Sequence, residues 1–364
     1  MKAVTLALLA FYCAPSAAES SLMLYGVADM GISSTHANGP NGTKQKLTGI
    51  TSGGLDDSLI GMIGREALSN GWSATFQLES VFDGATGTLD DDGDHFFGNA
   101  AWLGLGNNQF GELRLGRQHT VGQEFGSELE IASWKDMGMG ATFMASDDYS
   151  VNNSVNYFSP AWAGLRFGAS YSFDVLGEQR NGQKSPSYSA AILYEIESFA
   201  AVATWDKTFI SDRLLADAPH PEAWQLGVSY DFEVAKVSVA WSRQKNGYAG
   251  LNGGDPSGLG LGLGAAEFAQ GGRLDAYLLG VAIPVTTNGT AVAQWSLVKP
   301  NWDWANGEKA ENGQVATLGY VHQLSPRTSL YAMAGIAKRY SLEDQVVQGQ
   351  GTTTRYMAGM SHNF

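Results

Sequence analysis

The chain has 364 residues, of which 44% are hydrophobic and only 16% charged, where a soluble globular domain carries about 25% charge. Glycine takes 46 positions, about 13% against an average of about 7%, and aromatics make up 11%. So many aromatics exclude intrinsic disorder, so much glycine disfavours a helical protein, and a formal net charge of −14 argues against nucleic acid as a partner.

The N-terminus reads as an export signal. Lys2 precedes a short apolar run from Val4 to Tyr12, and Ser16-Ala17-Ala18 supplies the small residues of a cleavage site. The expected division is a signal peptide over residues 1–18 and one β domain over residues 19–364. The only cysteine, Cys13, falls in the signal segment. The exported chain would then hold no disulfide and no thiolate metal site. After residue 19 no apolar stretch reaches 18 residues, so membrane-spanning helices are excluded. What remains is a soluble β protein or a transmembrane barrel, and only a closed barrel satisfies its backbone in lipid.

Period-two alternation runs through about sixteen segments, near 22–34, 58–67, 72–82, 96–106, 111–119, 152–159, 164–174, 187–196, 200–209, 223–232, 236–246, 273–283, 290–299, 314–323, 329–340 and 353–364. Trp72, Ala74, Phe76 and Leu78 share one face, for example, and Tyr356, Ala358 and Met360 another. Short connections such as Leu68–Gly71 and Glu197–Phe199 alternate with long ones such as Thr35–Asp57 and Thr120–Val151. That alternation predicts an all-β fold, a 16-stranded antiparallel transmembrane barrel with short periplasmic turns and long external loops. Aromatics near strand ends, among them Tyr25, Trp72, Trp162, Phe199, Trp224, Tyr320, Tyr331, Tyr340 and Phe364, are expected to form two interfacial girdles.

Several blocks in order resemble the general trimeric porins of Gram-negative bacteria, most closely the beta-proteobacterial type. They are Ser20–Ile32, Phe76–Ser80, Phe110–Gln118, Asn152–Gly164, Leu318–Ala332 and the ending Ser361-His362-Asn363-Phe364. The resemblance implies a water-filled channel in the outer membrane, assembled as a homotrimer among lipid and lipopolysaccharide. It implies passage of small hydrophilic solutes and ions, with no cofactor and no catalysis. Phe364 would be the signal read by the barrel-assembly machinery. The third loop, Thr120–Val151, would fold into the channel, as suits a long loop without structure of its own.

In that family, acids on the third loop face basic residues on the wall. Here the loop carries Glu124, Glu128, Glu130, Asp136, Asp147 and Asp148, with Lys135 as its one Lys or Arg, and the nearby wall offers Arg65, Arg114 and Arg117. Each loop acid also has the plain reading of a solvated side chain. Leu59, Ile63 and Asn99 stand where relatives usually carry basic residues. Weak cation preference or near neutrality is therefore expected. A substrate-specific channel on the same barrel is the main alternative, and a barrel hydrolase a weaker one. The run Asp90–Asp94 lacks the Gly and Glu of a calcium loop, and Gly258–Gly264 lacks the Lys-Ser/Thr of a phosphate loop.

Overall fold

The computed structural model describes residues 20–38, 44–89, 95–134, 137–143, 150–175, 184–211, 217, 219–247, 271–303, 307–339 and 351–364. The expected signal peptide, the Asp90–Asp94 and Gly258–Gly264 runs, Lys135, Asp136, Asp147, Asp148 and Tyr340 lie outside the described residues.

The strands are β1 (Ser20–Asn38), β2 (Lys44–Ser52), β3 (Leu59–Ala67), β4 (Trp72–Val81), β5 (Ala100–Asn107), β6 (Gly111–His119), β7 (Ser150–Phe158), β8 (Leu165–Ser172) and β9 (Ser187–Ile196). They continue as β10 (Phe199–Thr208), β11 (Glu222–Asp231), β12 (Lys236–Lys245), β13 (Arg273–Thr286), β14 (Gly289–Pro300), β15 (Gly313–Ser325), β16 (Thr328–Lys338) and β17 (Thr352–Asn363). Each named pair is antiparallel, and β17 pairs with β1 to close the sheet. One short helix, α1 (Val121–Gly126), lies inside.

Seventeen segments make sixteen barrel strands, because β2 and β3 are two halves of one. β2 pairs with the upper part of β1, ending at Met30 opposite Ser52. β3 pairs with its lower part, from Val27 opposite Leu59. A continuous ladder would set Val27 opposite Leu55, so the register jumps by four residues. An even jump keeps both halves on the same faces. This corrects the first long loop expected at Thr35–Asp57. β1 continues to Asn38 and the chain is already paired again at Lys44. The outer part of this hairpin is polar on both faces, so no apolar alternation marks it in the sequence.

The period-two pattern becomes an outward apolar wall and a lined lumen. Along β9 the exposure alternates residue by residue, with Ile192 at 53% exposed and Leu193 at 0%. Two aromatics depart from the expected girdles. Tyr25 and Tyr331 point into the lumen, where Tyr25 donates to Glu79 and Tyr331 to Asp29. Tyr25 has the parity of Asp29 on β1, and Tyr331 that of the buried Met333 and Ala337 on β16, which nearness to a strand end conceals.

The seam at β1 and β17 is finished by the last residue. Phe364 N–H donates to Gly26 O at 3.0 Å, and Gly26 N–H to Phe364 O at 3.2 Å. The Phe364 ring lies over Gly26, where a Cβ would collide with it. Gly26→Val should therefore lower the unfolding midpoint of the purified barrel, by roughly 1–3 kcal/mol as overpacking costs. Heat-induced mobility change on a semi-native gel measures this, and Ala28→Val two residues away serves as control.

Candidate functional site

Loop three is the connection between β6 and β7, and it lies inside the barrel. Its entry is a capped turn. Thr120 accepts from Gln123 N–H through its hydroxyl and donates to Asp206 Oδ1 at 2.9 Å. Val121 N–H donates to Ser170 and Gly122 N–H to Ser189. From there the loop follows the inner wall strand by strand. Gln225 on β11 donates to Gly126 O at 3.2 Å, Gln294 on β14 to Ala132 O, and Thr317 on β15 to Met137 O at 2.7 Å. On the return, Gln244 on β12 donates to Thr142 O at 2.7 Å. A buried loop must have its backbone polar groups paired, and the wall's polar side chains supply the partners.

Apolar packing follows the same track. Val121 sits against Gly168, Leu129 against Gly227, Ile131 against Gly280, Trp134 against Gly319 and Met137 against Gly335. At each of these glycines an added Cβ would crowd or strike the loop residue. Val121, Leu129, Trp134, Met139 and Phe143 are fully buried between loop and wall, at roughly 1.5–3 kcal/mol of apolar burial for each large side chain. The main hydrophobic core of this barrel is thus the seam between loop three and β8–β16.

The remaining opening faces β1–β6. Arg114 is the cation that meets loop three there. It donates to Glu124 at 2.9 Å and to Glu112 at 2.9 Å, and lies between the Trp102 and Phe158 rings at 4.5 and 4.4 Å. Burial raises the Glu124 carboxyl above its ordinary value, with Arg114 opposing. Glu128 is exposed to the lumen beside it. Arg65 lines the same cavity nearer the short turns, and Arg166 lies 5.4 Å from the Phe125 ring. Arg117 sits at a bulge in β6 and donates to Gly98 O, Ser150 O and Asn152. It ties the long-loop rim together. Below loop three a cavity of about 930 Å³ opens toward the short-turn end.

Glu130 is set apart from Glu124 and Glu128. Its carboxylate accepts from Met139 N–H at 2.9 Å and folds the loop's return turn. Burial, together with the charges of Asp56 and Asp57, pushes it up to about 7, with the Met139 and Gly140 amides opposing. Asp56 is raised as well, by burial and then by Asp29. The wall facing the opening carries a hydrogen-bonded group that sequence reading missed. Gln77 donates to Tyr25, Tyr25 and Asn99 donate to Glu79, and Trp102 donates to Gln77. The signal was present as polar residues of lumen parity on β1, β4 and β5, but parity alone does not say which of them meet.

Two outcomes test this geometry. A raised carboxyl stabilises the folded turn below the usual carboxylate range and loses that contribution as pH rises through about 7. Single-channel conductance should therefore titrate between about pH 5 and 8, and Glu130→Gln should flatten the profile. Gly319→Leu should eject Trp134 from its notch, at roughly 1–3 kcal/mol, and make the open-channel current noisier.

Comparison with known proteins places this architecture. The Gram-negative porin family model matches residues 3–339. An outer membrane porin protein of Bordetella pertussis is 29% identical, with 98% of each chain covered. Outer membrane porin protein 32 of Delftia acidovorans is 27% identical over 92% of this chain and 88% of its own. Among solved structures, an anion-selective porin from Comamonas acidovorans superposes with a TM-score of 0.71 at 23% identity, covering 95% of this chain and 100% of that one. With its sixteen-stranded closure and a third loop laid along the inner wall, this chain belongs to the Gram-negative porin family of the outer membrane.

Proposed function

We propose that this porin passes small hydrophilic solutes and ions by passive diffusion, with weak cation preference or near neutrality, and without a catalytic step. The observation that carries the selectivity is the pairing of Arg114. Two carboxylates, Glu112 and Glu124, already neutralise Arg114, which is hydrogen-bonded to loop three from the wall. Asp56 and Glu79 add acid around the opening, and Glu128 lines the same cavity as Arg65 and Arg166. Charges in a low-dielectric constriction outweigh the charge of the whole protein. The Comamonas porin is described as anion-selective, so the reading is open to a direct contrast. A planar-bilayer reversal potential in a KCl gradient should be small and cation-directed, and clear anion selectivity overturns it. The substrate-specific alternative draws on the 930 Å³ cavity with its aromatic rings and guanidiniums. Saturable current block by one solute class would favour it over diffusion.

The exported protein begins after Ala18 in this reading, and Phe364 serves the barrel-assembly machinery as well as the seam. A homotrimer is the expected assembly, and an outer membrane protein of Vibrio cholerae with the same fold is described in a trimer form. The outward face supports a division between lipid and protein contact. From β8 to β15 it carries aromatics toward both ends, such as Tyr188, Trp205, Trp224 and Trp295 near one and Trp162, Tyr194, Tyr230 and Phe232 near the other. From β16 through β1 to β6 it is mostly aliphatic, with Leu24, Ile32, Ile60, Leu103, Leu105, Leu113 and Leu330 exposed. Rings favour a lipid interface, so the aliphatic sector is the protomer contact. Above the aromatic band, Lys207, Glu222, Lys245 and Arg273 form one outward row, and Arg243, Asp275 and Lys299 continue the row of Trp205 and Trp224 within it, which suits phosphorylated lipopolysaccharide headgroups. Ile32→Lys with Leu105→Lys should dissociate the trimer on a semi-native gel, and a persisting trimer rejects the assigned contact.

A further inference from the structure

The step between β2 and β3 places residues 53–58 opposite Ala28 and Asp29 of β1. Asp29 faces the lumen and is fully buried. Its Oδ1 accepts from Gly54 N–H at 2.9 Å and from the Tyr331 hydroxyl at 2.6 Å. Its Oδ2 accepts from Leu55 N–H at 3.0 Å and Asp56 N–H at 3.1 Å. Ser58 bonds the Asp29 backbone on both sides, accepting from its N–H at 3.0 Å and donating to its carbonyl at 2.8 Å. Tyr331 reaches Asp29 from β16 by crossing Gly359 of β17, and Gly54 closes down on the same ring. One carboxylate with four donors makes a rigid inward arch, since hydrogen bonds to an ionised group are about twice as strong as neutral ones.

The arch does not end in open lumen. Its Leu55 packs against the buried cluster that loop three makes with the wall. Its Leu55 carbonyl accepts from the Ser133 hydroxyl of loop three at 2.5 Å. Asp56 and Asp57 act on the Glu130 carboxyl of that loop. The tip of loop three is therefore anchored to β15 and β16 on one side and to this arch on the other.

We propose that residues 53–58 are a second constriction element, a clasp that holds the tip of loop three and so fixes the width of the pore. Two inward segments then bound the opening, one from the third loop and one from within the second barrel strand. Asp29 is a positioning residue, acting on loop three through the arch, and Tyr331, a member of the buried cluster, holds Asp29 in place through its hydroxyl. The proposal rests on the channel reading, and wild-type conductance reports on that reading separately.

The test uses the full-length protein in planar bilayers. Beyond Cys13, in the segment expected to be removed, the chain has no cysteine, so Leu55→Cys with Ser133→Cys introduces one pair. Oxidation should join the pair and leave the open-channel current as in wild type, with its noise reduced; reduction should restore the noise. Asp29→Asn with Tyr331→Phe should raise mean conductance about 1.5- to 2-fold and admit larger sugars in liposome swelling, as a wider filter would. Because that variant could fail to assemble, Ser133→Ala gives a milder form of the same change, with added noise and no altered selectivity sign. Failure of the cysteine pair to join, or identical current noise with the pair joined and reduced, overturns the clasp. So does wild-type conductance and swelling in an assembled Asp29→Asn/Tyr331→Phe barrel. A wild-type protein that does not conduct would instead overturn the channel reading.

Discussion

Everything inside this barrel depends on the backbone of loop three finding hydrogen-bond partners away from bulk water. A loop that enters a channel exposes amides and carbonyls that a sheet would have paired, and an unpaired buried group costs about 1–3 kcal/mol. The solution is a ladder of single side chains. Ser170, Ser189, Gln225, Gln294 and Thr317 each take one backbone group of the loop from a different strand. The loop is held as an extra inner layer, with glycines opening a groove for its apolar side chains. The wall accepts this because its lumen face offers glycines and polar side chains to the loop beside buried apolar ones such as Leu193, Leu274 and Leu278.

The same geometry decides where charge lies. Loop three covers β8–β16, so the open part of the lumen is bounded by β1–β6 and by the loop's exposed edge. Arg114 is gripped by Glu112 and Glu124 and flanked by two rings. Glu130, by contrast, is used to fold the loop on itself. Glu124 and Glu130, both acids of one loop, thus have different work, the first holding an arginine and the second holding backbone.

Much of the fold is legible in the chain because a barrel strand must show its two environments residue by residue. β6 and β9 fall where alternation places them, and the blocks resembling porins lie in order along the closed sheet. The hairpin of β1 and β2 is not legible, because its outer residues, such as Ser34, His36, Lys44 and Lys46, rise beyond the apolar band and lose the alternation. Tyr25 and Tyr331 depart from expectation because closeness to a strand end says nothing about which face a ring takes. The candidate site is less legible. Charged residues on the third loop are visible as a set, but which of them meets Arg114 depends on a path along the wall that no local pattern records.

The amino-acid sequence by itself determined the class of structure: low charge, much glycine and sixteen alternating segments admit a membrane barrel and little else, because lipid tolerates no unpaired strand edge. Its resemblance to the porins also indicated which long connection turns inward, the one between β6 and β7. Only the tertiary structure decided how that loop is held. The groove of glycines from Gly168 to Gly335 runs across five strands far apart in the chain, and Asp29 meets Tyr331 across 302 positions. Such contacts arise when the sheet closes and brings distant strands side by side, and strand periodicity carries no information about which residues then share a height in the lumen.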